Sequence, residues 1–104
     1  MGNLNKNEVG QPIRINLSED ISLATPTLIL EPKLGQIKEI TTGVTIPAVN
    51  VTVGSQTLLA NEYIEYFTKS GDLDFVGQWR FKTKLVFSAT DERQTDFQRF
   101  SVLA

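Results

Sequence analysis

From Gln78 to Phe87 the chain alternates without a break. Trp79, Phe81, Thr83, Leu85 and Phe87 fall on one parity; Arg80, Lys82, Lys84 and Val86 fall on the other. Only an extended backbone, with its two-residue period, separates these sets onto opposite faces; a helix would scatter both around its circumference. The segment therefore demands a sheet with one dry side and one wet side. That sheet needs further apolar strands to cover its aromatic face.

The rest of the chain supplies them. Gln11 to Leu17 alternates Ile13, Ile15 and Leu17 with Arg14 and Asn16, and Pro12 suits the first residue of a strand or an edge. Thr25 to Glu31 is a second run, in which Leu28 and Leu30 share a face. Gly35 to Thr41 is a shorter third. Val44, Ile46 and Ala48 share one parity and Val49, Val51 and Val53 the other, with Pro47 at the crossover. A one-residue slip of this kind implies a bulge or a change of sheet near Pro47-Ala48. Gly54-Ser55 places Gly where a two-residue type II′ hairpin needs positive φ, so Val49–Val53 and Gln56–Ala60 read as a hairpin. Asn61 to Lys69 fits a helix through Leu59, Tyr63 and Phe67 or a strand through Tyr63, Glu65 and Phe67; its aromatic and β-branched content favours strand. Ser88 to Gln94 reads as a polar loop. Phe97 to Leu103 closes the chain with Phe100 and Val102 inward.

These runs predict an all-β sandwich of about seven short antiparallel strands. A small barrel or jelly roll obeys the same alternation. At 104 residues the chain is one domain of ordinary size, expected as a polar N-terminal arm over residues 1–7 and a single sandwich over 8–104.

Composition restricts the chemistry. With no Cys and no His, thiolate catalysis, Cys-based metal sites and a His general base are all lost. Ten basic against twelve acidic residues give a net charge of −2, which argues against bulk attraction to nucleic acid or an anionic membrane. No apolar run nears the roughly 18–20 residues of a membrane span, and the opening residues lack the apolar centre of a secretory signal. The expectation is a non-enzyme without cofactor, metal or small-molecule substrate.

Few side chains invite a functional reading. Asp72 and Asp74 near Gly71 would make a weak calcium site or, more simply, turn-capping carboxylates. Glu62, Glu65, Asp91 and Glu92 are acidic, but nothing in the sequence brings two of them to the separation a glycosidase needs. Arg80, Lys82 and Lys84 lie about 7 Å apart on one strand face, a stripe for an acidic partner or a solvated surface. Trp79, Tyr63 and Tyr66 are the aromatics that a sugar-stacking site would use, although the parity of Trp79 assigns it to the core.

Asp74-Phe75-Val76-Gly77-Gln78-Trp79-Arg80-Phe81 resembles the Asp-x-x-Gly-x-Tyr-x-Cys run that opens strand F of immunoglobulin-like domains. Trp79 stands in place of the corner Tyr, with only an N–H to donate, and Phe81 in place of the disulfide Cys. Leu73-Asp74-x-x-Gly77-x-Trp79, followed by Phe100-Ser101-Val102, is similar to the immunoglobulin-like N-terminal domain of tailed-phage baseplate upper proteins and related virion domains. Ile13–Leu17 and Thr27–Leu30 look like that family's opening pair of strands. The resemblance implies an immunoglobulin-like structural component of a bacteriophage virion, in the tail, baseplate or capsid, made in the host cytoplasm and located in the particle. Its partners would be other virion proteins and copies of itself. Arg80, Lys82, Lys84, Asn3, Leu4 and Asn5 are the candidate contacts. The competing reading is a carbohydrate-binding or enzyme-accessory β-sandwich, which would require exposed aromatics on a sheet face or loop, with Tyr63 and Tyr66 as the candidates.

Overall fold

A computed structural model describes residues 3–104. Its ten strands are β1 (Leu4–Asn5), β2 (Pro12–Asn16), β3 (Thr25–Lys33), β4 (Gln36–Ile40), β5 (Val51–Val53), β6 (Gln56–Leu58), β7 (Tyr63–Phe67), β8 (Gly77–Ser88), β9 (Asp91–Gln94) and β10 (Gln98–Leu103). There is no helix among the described residues. The fold is all-β, as the alternation predicts.

The largest sheet runs β1-β10-β8-β3-β4, with β9 also paired to β8. Its centre is the strand the sequence makes most of. Trp79, Phe81, Thr83 and Leu85 of β8 are all buried, opposite Leu28 and Leu30 of β3 and Phe100 and Val102 of β10. A second sheet pairs β2 with β7, and a third is the β5–β6 hairpin. Ile13, Ile15, Ile64 and Tyr66 of the β2–β7 pair enter the same core as the inner face of the large sheet. The Phe100 ring joins Trp79 and Phe81, at centroid distances of 5.7 and 5.4 Å.

Several expectations need correction. The strands number ten among the described residues, not about seven, and β1 runs parallel to β10. Within the segment expected as a polar arm, Leu4 and Asn5 form that strand, and the Leu4 side chain joins the core; Met1 and Gly2 lie outside the described residues. Ser88 to Gln94 is not all loop, because Asp91–Gln94 folds back on the end of β8 as β9. The register slips by one between Lys84↔Gln94 and Phe81↔Gln98. Strands β9 and β10 are thus two halves of one broken strand, with Thr95 N–H still donating to Thr83 O. Around Pro47 the chain leaves the sheets altogether: Thr45 makes an isolated bridge to Glu65, and β5 begins only at Val51. Charged residues explain why β9 escapes a search for alternation. All four of Asp91, Glu92, Arg93 and Gln94 are polar, and they pair through backbone rather than through an apolar face.

Other local readings hold. Asn61–Lys69 contains strand β7, and Gly54 takes φ +62° at the head of the β5–β6 turn. The Asp-x-x-Gly-x-Trp stretch forms a corner. Gly77 adopts φ +149°, a conformation L side chains rarely reach. The Trp79 indole N–H then donates to Phe75 O at 2.8 Å, so a tryptophan closes the corner with the one donor it has. Lys38 of β4 sits 5.4 Å above the Trp79 ring and donates to Asp74 at 2.7 Å, which holds the Asp74 carboxyl below its usual range.

Candidate functional site

Arg80, Lys82 and Lys84 do share the outer face of β8, but two of them are engaged within the fold. Arg80 Nε donates to Glu31 Oε1 of β3 at 2.6 Å, and that carboxylate is buried. The Phe97 ring, just before β10, lies 4.1 Å from the Arg80 guanidinium carbon and 4.6 Å from Lys82 Nζ, a geometry favourable to both cations. Lys84 stands between Thr27 of β3 and Gln94 of β9. Arg99 of β10, directly across from Arg80, extends the stripe. The face is therefore a braced cationic surface rather than a row of free charges.

Asn3, Leu4 and Asn5 divide. Leu4 points inward, whereas Asn3 and Asn5 are exposed. The Asn5 N–H donates to Glu8 Oε1 at 2.6 Å, and Lys6 N–H and Asn7 N–H donate to Leu103 O and Leu73 O. This segment is strapped to the body of the domain.

A concavity of about 560 Å³ lies beside β2. Its floor is Pro12, Arg14 and Asn16 of that strand; one wall is Asn3 and Leu4 with Gln98 of β10, and the other is Val53, Gln56 and Leu58 of the hairpin. The chain just before the hairpin is tied to β7, where Tyr63 is buried and donates its hydroxyl to Val49 O at 3.0 Å. Arg14 Nε donates to Glu65 Oε2 at 2.8 Å, so the one cationic side chain among the described lining residues is matched at once by an anion. The remaining polar lining is carboxamide.

Backbone direction adds a second property. Thr68 N–H donates to Gln11 O and Leu17 N–H to Glu62 O, which makes the odd-numbered residues of β2 the ones hydrogen-bonded to β7. In an antiparallel ladder the intervening residues aim their backbone groups the other way. Pro12, Arg14 and Asn16 therefore direct theirs into the cleft, and among the described residues no strand pairs with that edge.

The other candidates are structural. Asp72 accepts hydrogen bonds from the Tyr66 hydroxyl and from Lys69 N–H, a capped turn rather than two carboxylates turned to a common centre. Glu65 is held by Arg14, and Asp91 by Arg93. Tyr63 and Tyr66 are both buried, contrary to what a sugar-stacking surface requires. Burial raises the pKa of both hydroxyls, and Asp72 adds to the effect at Tyr66. Sequence reasoning missed Glu31, Phe97 and the β2 cleft. Period-two alternation places side chains on faces of one strand, whereas the cleft joins pieces of β1, β2, the β5–β6 hairpin and β10.

No family model, curated protein or solved structure matches the chain.

Proposed function

We propose that the chain is an immunoglobulin-like β-sandwich serving as a structural component of a bacteriophage virion, acting by protein–protein assembly. The observation that carries this reading is the corner at Leu73–Trp79. The motif on which the resemblance rests folds as a turn closed by the Trp79–Phe75 hydrogen bond, equivalent to the Tyr corner at the start of strand F.

Strand order supports the same reading. Taking β2 and β7 as B and E, and β3, β4, β8 and β10 as C, C′, F and G, gives a strand order compatible with the variable-type arrangement. Phe81 packs where a disulfide Cys would sit, against Phe100 and within the shared core. The exposed surface offers strand edges and apolar residues such as Leu23 and Leu34 for contacts with neighbours. Tyr63 and Tyr66 are buried and so unavailable for stacking on a sugar, which weighs against a carbohydrate-binding reading.

Sedimentation of the protein from its source on a density gradient tests the proposal. A virion component travels with megadalton particles and withstands a salt wash. A chain that stays at the top as a free small protein contradicts the assignment.

A further inference from the structure

We infer that the cleft beside β2 receives one extended, uncharged peptide segment from a neighbouring protein chain, which adds to the sheet as a strand alongside Pro12–Asn16. The inference deepens the assembly reading above and rests on it for the identity of the neighbour as a fellow component of the particle.

Three observations select this occupant. Arg14 and Asn16 direct N–H and C=O groups into the cleft at two-residue intervals, about 7 Å apart, and Pro12 contributes its C=O alone. Only another extended backbone presents complementary donors and acceptors at that repeat, the chemistry of β-strand addition. The edge is also walled. Asn3 and Gln98 from one part of the chain and Gln56 and Val53 from another line the same concavity, which favours a single added strand over the approach of a second whole sheet. Finally, the described lining residues carry no unmatched charge, because Glu65 neutralises Arg14 at 2.8 Å. A charged side chain entering the slot would lose water without gaining an opposite charge, whereas carboxamides can bond an incoming peptide or its hydroxyl and amide side chains.

The architecture points the same way. In immunoglobulin-like sandwiches the position beside B belongs to strand A. Here β1 pairs with β10 instead, and the place beside β2 has no strand among the described residues.

The test screens the full chain against a surface-displayed library of random nonapeptides, followed by titration calorimetry with the enriched peptides synthesised singly. Enriched sequences should lack Asp, Glu, Lys and Arg. Asn16→Pro deletes an N–H that faces the slot and not β7, and should weaken binding by roughly tenfold, the worth of about one hydrogen bond and its geometry. If Asn16→Pro lowers the melting temperature, the paired variant Gln56→Lys and Gln98→Lys serves instead, since both side chains are exposed; it should weaken binding while Lys84→Ala does not.

The proposal is overturned by a library that yields no binder, by binders indifferent to these variants, or by charged consensus sequences. It is equally overturned if an oligosaccharide array gives binding that Gln56→Lys abolishes. Amide exchange separates this proposal from the virion reading. Particles that contain the protein but leave Arg14 and Asn16 as unprotected as in the free chain sink the cleft proposal alone. Peptide binding by a chain absent from particles sinks the virion assignment and leaves the cleft standing.

Discussion

The outer face of β8 and the open edge of β2 are both polar surfaces, yet one is satisfied within the domain and the other is not. On β8 the charges are obvious, and the fold answers them: Glu31 takes Arg80, and Phe97 lies against Arg80 and Lys82. On β2 the charge is answered as well, by Glu65, but among the described residues the edge of its main chain that faces away from β7 has no partner strand. Side-chain chemistry drew attention to the first surface. Backbone chemistry, which every sequence shares, distinguishes the second. A run of cations on a strand is therefore a poor guide to an interface unless the acids on neighbouring strands are known.

The comparison can be broken by substitutions that ask which parts are structural. Trp79→Ala should have the largest effect, since it empties a fully buried site and loses the Phe75 bond. A loss of about 3–5 kcal/mol in denaturant unfolding is expected. The native tryptophan, the chain's only one, should also emit at short wavelength and shift red on unfolding.

Arg80→Ala should cost about 2–3 kcal/mol, the lower end of the cost of leaving a buried carboxylate unpaired, because Arg80 keeps partial access to water. Glu31→Gln in the same chain should recover part of that loss. A cost below about 0.5 kcal/mol, typical of plain surface changes, would show that the β8 stripe is free after all. Leu4→Ala should cost about 2 kcal/mol, because the side chain is in the core even though its strand has two residues. An unchanged melting curve would restore the residues before β2 to the status of a detachable arm.

Alkaline titration gives a smaller effect with a definite sign. The folded-state pKa of Tyr66 is raised above the ordinary tyrosine value of about 10 by burial and by its bond to Asp72. Its contribution to stability is therefore complete below pH about 10 and declines as pH rises above it, where the unfolded tyrosine ionises first. Absorbance at the tyrosinate band should appear late and together with unfolding, and Tyr66→Phe should flatten the decline. Smallest of all, Gln56→Ala and Gln98→Ala should each change stability by less than about 0.5 kcal/mol, as expected of side chains that serve a slot rather than the core.

Much of the architecture was legible because a strong two-residue period leaves a chain little choice. Ile13 and Ile15, Leu28 and Leu30, and Trp79, Phe81, Thr83 and Leu85 all face inward as their parity requires. The misreadings have physical causes. Asp91–Gln94 has no apolar face, so β9 is held by backbone pairing that composition does not report. Val49 shares parity with Val51 and Val53, but Pro47 and the bond from Tyr63 to Val49 O keep it out of the strand. Leu4 is a single apolar residue among Asn and Lys, too little to signal a strand. The candidate site was half visible. Arg80, Lys82 and Lys84 fall on one face as expected, whereas Arg14 and Asn16 looked like the solvated side of an ordinary strand. Whether a strand has a second neighbour depends on topology, and no local pattern encodes it.

Residue-resolved amide exchange on the isolated chain at low concentration tests the central contrast most directly. The account predicts slow exchange at Ile13 and Ile15, which bond to β7, and fast exchange at Arg14 and Asn16 in between, with Phe81 and Thr83 slow on β8. Equal protection along the whole of β2 would contradict it, because the edge would then already be paired and the slot closed.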